Sequence, residues 1–308
     1  MNTDRRTETS PLRRIAAESI VVAGGGCALL LQIAHPAIGR GVAEHSDFAN
    51  RVMDRFHATM TFLTAGLFAT PEEFAVVRRQ VNRAHVPVRG WEDGSGPAYN
   101  AFDPSLQLWV SATLYRTMLD LHARVFGALP AREAEAAYRE FRGLGINLQV
   151  PAERWPATVE DFEVYWQDMI AGLRVNAATL EISRQILKPS GVPLWMRALL
   201  PDARLVTAGL LPPSVRDQFR LRWTEKERAR FEKRMRLTAA VYPRLPLRLR
   251  HAARDAYLRR LRRAAPAAGP PAVVRHHTSG RPARAGGAPP SAGGRRYRAP
   301  VYPTAGRG

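Results

Sequence analysis

The chain has 308 residues, of which 45% are apolar, so it is long and apolar enough to bury a sizeable core. Its formal net charge is +19, but only three of the 46 basic residues are lysines, an arginine bias typical of a GC-rich genome. A basic protein favours polyanions, yet no helix-turn-helix, zinc-finger or RNP-type pattern accompanies the charge, and nucleic-acid binding is not expected. Cys27 is the only cysteine, which excludes an internal disulfide and fits a reducing cytoplasm.

The N-terminal region carries neither a secretory signal nor a membrane anchor by its composition. Residues 1–10 are polar, lack an apolar core followed by a cleavage site, and are predicted to be flexible. The apolar run Ile20 to Ala34 is only about 15 residues long and contains three glycines, whereas a spanning helix needs about 20 apolar residues. We therefore expect a buried core helix and no transmembrane segment.

Nearly every periodic segment of the chain has the spacing of a helix. The expected helices lie at about 11–23, 27–34, 46–68, 71–85, 104–126, 130–141, 159–172, 176–187, 193–200, 202–210, 225–240 and 246–264. Thr70–Glu73 and Thr224–Glu227 have the pattern of capping boxes, and Asp103 precedes a proline at a helix start. Gly24–Gly26 and Pro201 are expected to interrupt helices. Alternating β-branched runs are lacking, so the fold class is all-α.

The composition changes at Ala265. From there to Gly308 the chain is rich in Arg, Pro, Gly and Ala and has no acidic residue. Such a segment cannot bury enough apolar surface to offset its ordering entropy, so we expect a disordered tail, with a polyanion-contacting tail as the alternative. The predicted organisation is a flexible N-terminus at 1–10, a single multi-helix domain at 11–264 and the tail at 265–308.

Arg55 and Thr59 are the first candidate site residues. They are four positions apart on one predicted helix and therefore share a face. The same stripe carries the apolar residues Phe48, Val52, Phe62 and Leu63. An arginine on a largely apolar face needs an anionic or carbonyl partner, because a buried unpaired charge is costly. The alternative is that Arg55 extends to water and that Thr59 packs in the core.

His85 is the second candidate and ends a helix rich in arginine. A neutral imidazole is a good iron ligand, and one histidine often holds a haem iron. A lone histidine can equally be a helix cap or a surface residue. Arg79 and Arg83 lie near His85 on the helix surface, where they could bind anionic ligand groups or form a solvated basic face.

The order of these motifs resembles a known family. The pattern R-x-x-x-T at Arg55–Thr59, followed by a helix-terminal histidine, is similar to the catalytic domain of rubber oxygenases (latex-clearing proteins) and MpaB-type oxygenases. The segments LLLQIAHPAIGRGVAEHSDF, beginning at Leu29, and YNAFDPSLQLWVSATL, beginning at Tyr99, extend the resemblance over about residues 12–240.

The resemblance implies a bacterial all-α oxygenase with a globin-like haem-binding core. It implies one b-type haem with His85 as the axial iron ligand, Arg55 and Thr59 close to the haem, and Arg79 and Arg83 beside the propionates. The implied reaction is O2-dependent oxidation of an apolar alkene, for example an isoprenoid. No oligomeric state follows from it.

Two positions depart from the family pattern or align poorly with it. Rubber-cleaving members have a lysine just before the threonine, where this chain has Ala58, which has no amine to close the sixth coordination site. The departure weakens the expectation of activity on polyisoprene. Glu44 is the nearest acidic candidate for the base proposed in rubber oxygenases, and a capping or surface role for it is as well founded.

Features of three other classes of protein are present in part. Gly24–Gly26 follows an apolar run as in a dinucleotide-binding turn, but Leu29 stands at the third glycine position and no βαβ alternation follows. A di-iron bundle needs two E-x-x-H motifs, and the chain offers only Asp54-x-x-His57. A non-catalytic helical protein that binds haem or a lipid remains the main alternative to an oxygenase.

Overall fold

The computed structural model of the protein describes residues 10–45, 48–94, 96–189 and 194–264. The described residues all fall within one compact unit, Met1–Ala268. The expected flexible segment before Ser10, residues 46 and 47 at the predicted start of a helix, and the expected tail from Ala265 lie outside the described residues.

The described part of the chain is built almost entirely of helices, which confirms the all-α prediction. The α-helices are α1 Pro11–Ala17, α2 Gly25–Ile33, α3 Pro36–His45, α4 Phe48–Phe68, α5 Pro71–His85, α6 Pro104–Phe126, α7 Ala131–Gly145, α8 Val159–Gly172, α9 Ala177–Leu187, α10 Leu194–Leu210, α11 Pro213–Gln218, α12 Glu225–Val241, α13 Leu247–Arg250 and α14 Ala252–Ala264. Short 3-10 helices cover Ser19–Gly24, Ala152–Arg154 and Tyr242–Arg244. Strands β1 (Arg89–Gly90) and β2 (Tyr99–Asn100) pair antiparallel. The globin-like core stays a prediction.

Local side-chain caps start the helices where the sequence predicts them. The Thr70 hydroxyl accepts from the Glu73 amide at 3.2 Å, and the Glu73 carboxylate accepts from the Thr70 amide at 2.9 Å, which completes the capping box of α5. Asp103 accepts from the Ser105 amide at 2.7 Å and opens α6. Gly127 ends α6 with φ at 92°, a conformation that side chains other than glycine rarely adopt.

The first helix breaks earlier than predicted. It ends at Ala17, and Glu18 is extended, because its buried carboxylate turns toward Arg250 in the C-terminal region. The glycine triplet is not the break: Gly25 and Gly26 begin α2. A Cβ on Gly26 would lie 2.3 Å from the Thr207 hydroxyl oxygen, so the glycine permits a close helix approach.

Two further boundaries differ from the prediction, and two helices were not predicted. Pro201 lies inside the continuous helix α10 on an exposed turn, where water can bind the carbonyl that loses its partner. The expected helix at 246–264 is divided by a turn at His251 into α13 and α14. The unpredicted helices α3 and α11 each begin at a proline in the first turn, a permitted position.

The core lies around α2 and α6. Leu30, Leu31 and Ile33 are buried, and the indole N–H of the buried Trp109 donates to the Leu31 carbonyl at 3.1 Å. The apolar run at residues 20–34 is thus a core element, as expected. No single helix in the described ranges is long and apolar enough to cross a membrane. The pair Pro11–Ala17 and Ser19–Ile33 meets that test only together and is bent by 74°.

Candidate functional site

The candidate site lies at the open end of the α4–α5 pair. Only Ala69 and Thr70 separate the two helices, and Phe62 of α4 packs against Phe74 of α5 with ring centroids 5.4 Å apart. Two helices joined by so short a connection run antiparallel. The first half of α4 therefore lies beside the last turn of α5, which brings Arg55 toward His85.

His85 is held in a half-buried position at the end of α5. Its Nδ1 atom is buried and has no hydrogen-bond partner, although buried polar atoms are normally paired. The ring of Phe102 meets the imidazole edge to face, with centroids 6.3 Å apart. Phe102 precedes the Asp103 cap of α6, and the sequence did not indicate its contact with the imidazole.

Burial is the main cause that lowers the pKa of His85, and the positive charge of Arg55 lowers it further. Both effects disfavour the imidazolium. Because the ordinary pKa of histidine is about 6.5, a lowered value keeps His85 neutral at pH 7 with a lone pair on its ring. Arg55 is therefore near enough to His85 for its charge to act on the imidazole.

Arg55 and Thr59 are more accessible than the sequence indicates. Both are exposed, whereas Phe62 and Leu63, one turn further along α4, are half-buried. Arg55 therefore extends to water, as one of the two alternatives had it, whereas Thr59 does not pack in the core. The side chains of Phe48 and Val52, on the same stripe, lie outside the described ones. The Thr59 hydroxyl donates to the Arg55 carbonyl at 3.1 Å, a local bond within the helix.

The other candidates from the sequence lie at the surface. Ala58 is exposed beside Thr59, and Arg79 and Arg83 are exposed on α5. Exposure leaves the two arginines as a basic face that solvent can reach, which agrees with either of their predicted roles. Nothing in the described contacts of Arg79 and Arg83 distinguishes the two roles.

Glu44 is held by hydrogen bonds from two neighbouring side chains. Arg40 Nε donates to one carboxylate oxygen at 2.6 Å, and the Tyr99 hydroxyl donates to the other at 2.6 Å. These two hydrogen bonds lower the pKa of Glu44 and favour its ionised, acceptor-only form. The hydroxyl of Tyr99 is also 2.7 Å from His45 Nε2. Of the two other roles that the sequence left open for Glu44, capping or surface, the structure shows a surface position, with the side chain 41% exposed.

Arg40 is the residue of this region that sequence reasoning missed. It is 8% exposed and fastens the β1–β2 hairpin, which follows His85, onto α3. Its guanidinium donates to the carbonyls of Trp91, Gly96 and Pro97 at 2.9, 2.7 and 3.1 Å and to Asp93 at 2.7 Å. The sequence could have indicated Arg40 in one way: it is a single arginine between Gly39 and Gly41, and the loop that follows His85 contains an aspartate, Asp93, to which no sequence motif assigns a role.

The rival sites do not form in the described structure. Gly24–Gly26 lies in helical turns and not after a strand, so no dinucleotide-binding turn is present there. Within the described ranges no group of three or more His, Cys, Asp and Glu side chains could hold a metal ion. His57, from the incomplete di-iron motif, has its Nδ1 atom 2.6 Å from the Tyr257 hydroxyl.

The fold and site define an all-helical protein with a neutral, half-buried histidine beside an arginine. The chain belongs to the family of catalytic domains described as ER-bound oxygenase mpaB/B′ and rubber oxygenase, whose model matches residues 12–241. The resemblance inferred from the motifs is thus confirmed. Two relatives, uncharacterized proteins of Mycobacterium bovis and Mycobacterium tuberculosis, are each 35% identical over 210 residues, covering 66% of this chain and 82% of the relative. No solved structure matches significantly.

Proposed function

We propose that this protein is a haem b-dependent oxygenase in which His85 would hold the haem iron. The observation that supports it best is the His85 imidazole, which is half-buried, kept neutral by its surroundings and left with an unpartnered buried nitrogen. A single neutral histidine is a common protein ligand of haem iron. The membership of an oxygenase family supplies the reaction class.

The residues around His85 fit an anionic, planar group. Arg55 brings a positive charge close enough to lower the pKa of His85, and it can offset the acidic groups of a porphyrin. Arg79 and Arg83 add two exposed cations on the helix that ends at His85. Phe102 presents an aromatic ring to the imidazole and shields it from water.

Haem iron, when bound, supplies the O2 chemistry, and the protein supplies binding and charge. Arg55 is suited to stabilise negative charge that develops on oxygen atoms near His85. Thr59 holds its hydroxyl proton toward the Arg55 carbonyl, so it must rotate that hydroxyl before it can donate to a ligand. Ala58 adds no amine at this position, unlike the lysine of rubber-cleaving relatives.

An apolar alkene, of which an isoprenoid is one example, is the substrate class that we assign. Val86 directly follows His85 and is 58% exposed, and Trp91 in the following hairpin is 70% exposed. Large exposed apolar side chains next to a site are typical of surfaces that receive apolar ligands. With O2 as the second substrate, the proposal is oxidation of such an alkene.

The catalytic roles are tested by haem content and oxygen uptake, measured together with a soluble isoprenoid. Arg55→Ala should keep most of its haem, because the iron ligand remains, and should lose turnover by about 100-fold if Arg55 stabilises charge in the transition state. Thr59→Val keeps the shape and loses one neutral hydrogen bond, so about a tenfold loss is expected. Arg78→Ala is the matched control, because it removes an exposed arginine from α5 without changing the proposed site.

The same experiment separates an oxygenase from a binder. If Arg55→Ala and Thr59→Val turn over at the rate of the wild type, these residues have no catalytic role. If the wild-type protein retains haem but consumes no oxygen with any isoprenoid, the alternative of a non-catalytic haem-binding protein replaces the proposal.

A further inference from the structure

A group of exposed aliphatic side chains lies near the C-terminal end of the described chain, away from His85 in sequence. The members are Leu237, Val241, Leu245, Leu247 and Leu249, which are 54%, 50%, 37%, 59% and 56% exposed. We name these five residues the leucine surface. Single exposed aliphatic side chains are ordinary, but five within thirteen positions of one chain segment are typical of an interaction surface.

The backbone beneath the leucine surface is fixed to the core. The Tyr242 hydroxyl accepts from the Ile20 amide at 3.1 Å and donates to the Arg250 carbonyl at 3.2 Å. Arg250 in turn binds the buried carboxylate of Glu18. The segment between Tyr242 and Arg250 is therefore pinned at both ends, and its leucines stay outside as part of the folded structure.

The leucine surface is interleaved with positive charge only. From Lys233 to Arg254 the sequence contains no aspartate or glutamate, and Arg236, Arg244 and Arg248 are all exposed. Arg248 stands between Leu247 and Leu249. A surface that alternates cations with aliphatic side chains complements a surface with anionic groups above an apolar layer.

An anionic lipid bilayer has that layered chemistry. Interfacial segments bury leucines at the boundary of headgroups and acyl chains while arginines meet the lipid phosphates. A nucleic acid would use the arginines but would leave the leucines in water, and it does not account for their grouping. The charge and the apolar side chains together favour the membrane.

We propose that the leucine surface docks this protein onto the surface of an anionic bilayer. Docking is peripheral, through α13, the turn before it and the last turns of α12. Three of the five leucine-surface residues follow residue 241, where the match to the family ends. The proposal does not depend on haem binding or on the reaction at His85.

The test is co-sedimentation of the full chain with vesicles of phosphatidylcholine, with and without phosphatidylglycerol. Binding should require phosphatidylglycerol and should weaken with added salt, because the anionic headgroups supply the attraction. Leu247→Ser with Leu249→Ser should reduce the partition coefficient by about 100-fold, since burying each leucine is worth about tenfold or more. Arg236→Gln with Arg248→Gln should reduce it by about tenfold.

Val164→Ser is the matched control. Val164 is 64% exposed on α8, so this variant also replaces an exposed aliphatic side chain by serine but does so outside the leucine surface, and vesicle binding should be unchanged. Thermal melting should be unaffected in all variants, because the altered side chains are exposed. The proposal is overturned if the protein binds no vesicles, or if Leu247→Ser with Leu249→Ser binds them as the wild type does. The proposal is also overturned if the wild-type protein binds RNA, Arg236→Gln with Arg248→Gln loses that binding, and Leu247→Ser with Leu249→Ser still binds vesicles.

Discussion

Replacing Arg250 by alanine should strongly destabilise the fold. Arg250 Nε donates to Glu18 Oε2 at 3.0 Å, a second nitrogen of the guanidinium binds the other carboxylate oxygen, and the group lies 5.1 Å from the centre of the Phe126 ring. The side chain of Glu18 is only 6% exposed and that of Arg250 is 17% exposed. In Arg250→Ala the Glu18 carboxylate would stay buried but would lose the guanidinium that binds both of its oxygens.

The expected size follows from that burial. Removing one partner of a buried ion pair costs about 3–5 kcal/mol, and the partial exposure of Arg250 places the loss near the lower end, about 3 kcal/mol. For a protein of this size that corresponds to a fall in Tm of about 6–12 °C. Glu18→Gln combined with Arg250→Met should recover most of the loss, because no charge is left buried.

The assay is chemical and thermal unfolding of the single variant, the double variant and one control. Arg234→Ala is the control, since Arg234 also binds a carboxylate through two contacts, to Asp202 at 2.8 and 2.7 Å, but both side chains are over 40% exposed. An exposed pair is worth about 0–1 kcal/mol. If Arg250→Ala loses no more stability than Arg234→Ala, the buried pair does not hold the C-terminal region to the core.

Three smaller predictions concern packing, pH and the tail. Gly209→Ala should destabilise by about 1–3 kcal/mol, because the new Cβ would lie 2.4 Å from the Phe231 ring, whereas Gly143→Ala meets nothing within 4 Å and should stabilise by about 0.5–1 kcal/mol in urea unfolding. Burial lowers the pKa of His35 to about 4, whereas a histidine in the unfolded chain has a pKa of about 6.5. As the pH falls below about 6.5, the unfolded chain is therefore protonated before the folded one, which favours unfolding. Stability should drop by about 2 kcal/mol from pH 7 to 5 through His35 alone, and His35→Gln should lack that part of the slope. Truncation after Ala264 should change stability by less than about 1 kcal/mol in a melting experiment, as a low-hydrophobicity tail implies.

Those features of the fold that arise from neighbouring residues could be predicted from the sequence. The starts of α5 and α6 follow from Thr70, Glu73 and Asp103, whose side chains bind amides two or three positions away. The end of α6 follows from Gly127, because glycine adopts the backbone φ of 92° found there more readily than any other residue. Each of these signals is complete within one helical turn, so no knowledge of the tertiary structure is needed.

The features that were missed depend on distant partners. Glu18 breaks the first helix because it binds Arg250, which is 232 positions away, and no local pattern indicates this pair. Arg40 was missed for the same reason, since all of its partners except Glu44 lie in a loop more than 50 positions later. The Arg55–Thr59 pair was found by its spacing, but its exposure stayed open, because the packing of α4 against neighbouring helices decides which residues of the stripe are covered.

The identity of the site likewise required more than the spacing of its residues. The motif around Arg55 and His85 located the site through its resemblance to a family, and the family is now established. The buried, unpartnered nitrogen of His85 and its contact with Phe102 became evident only in three dimensions. Those two observations support a ligand role for His85 independently of the motif.

The central claim is that His85 binds haem iron, and an absorption spectrum tests it most directly. The wild-type protein, purified and titrated with haemin, should show a Soret band at a stoichiometry of about one haem per chain. His85→Ala should lose that band or shift it strongly, while His57→Ala, which alters a histidine of α4 bonded to Tyr257, should keep the wild-type spectrum. A His85→Ala spectrum identical to that of the wild type, or the absence of any haem band in the wild type, would contradict the account.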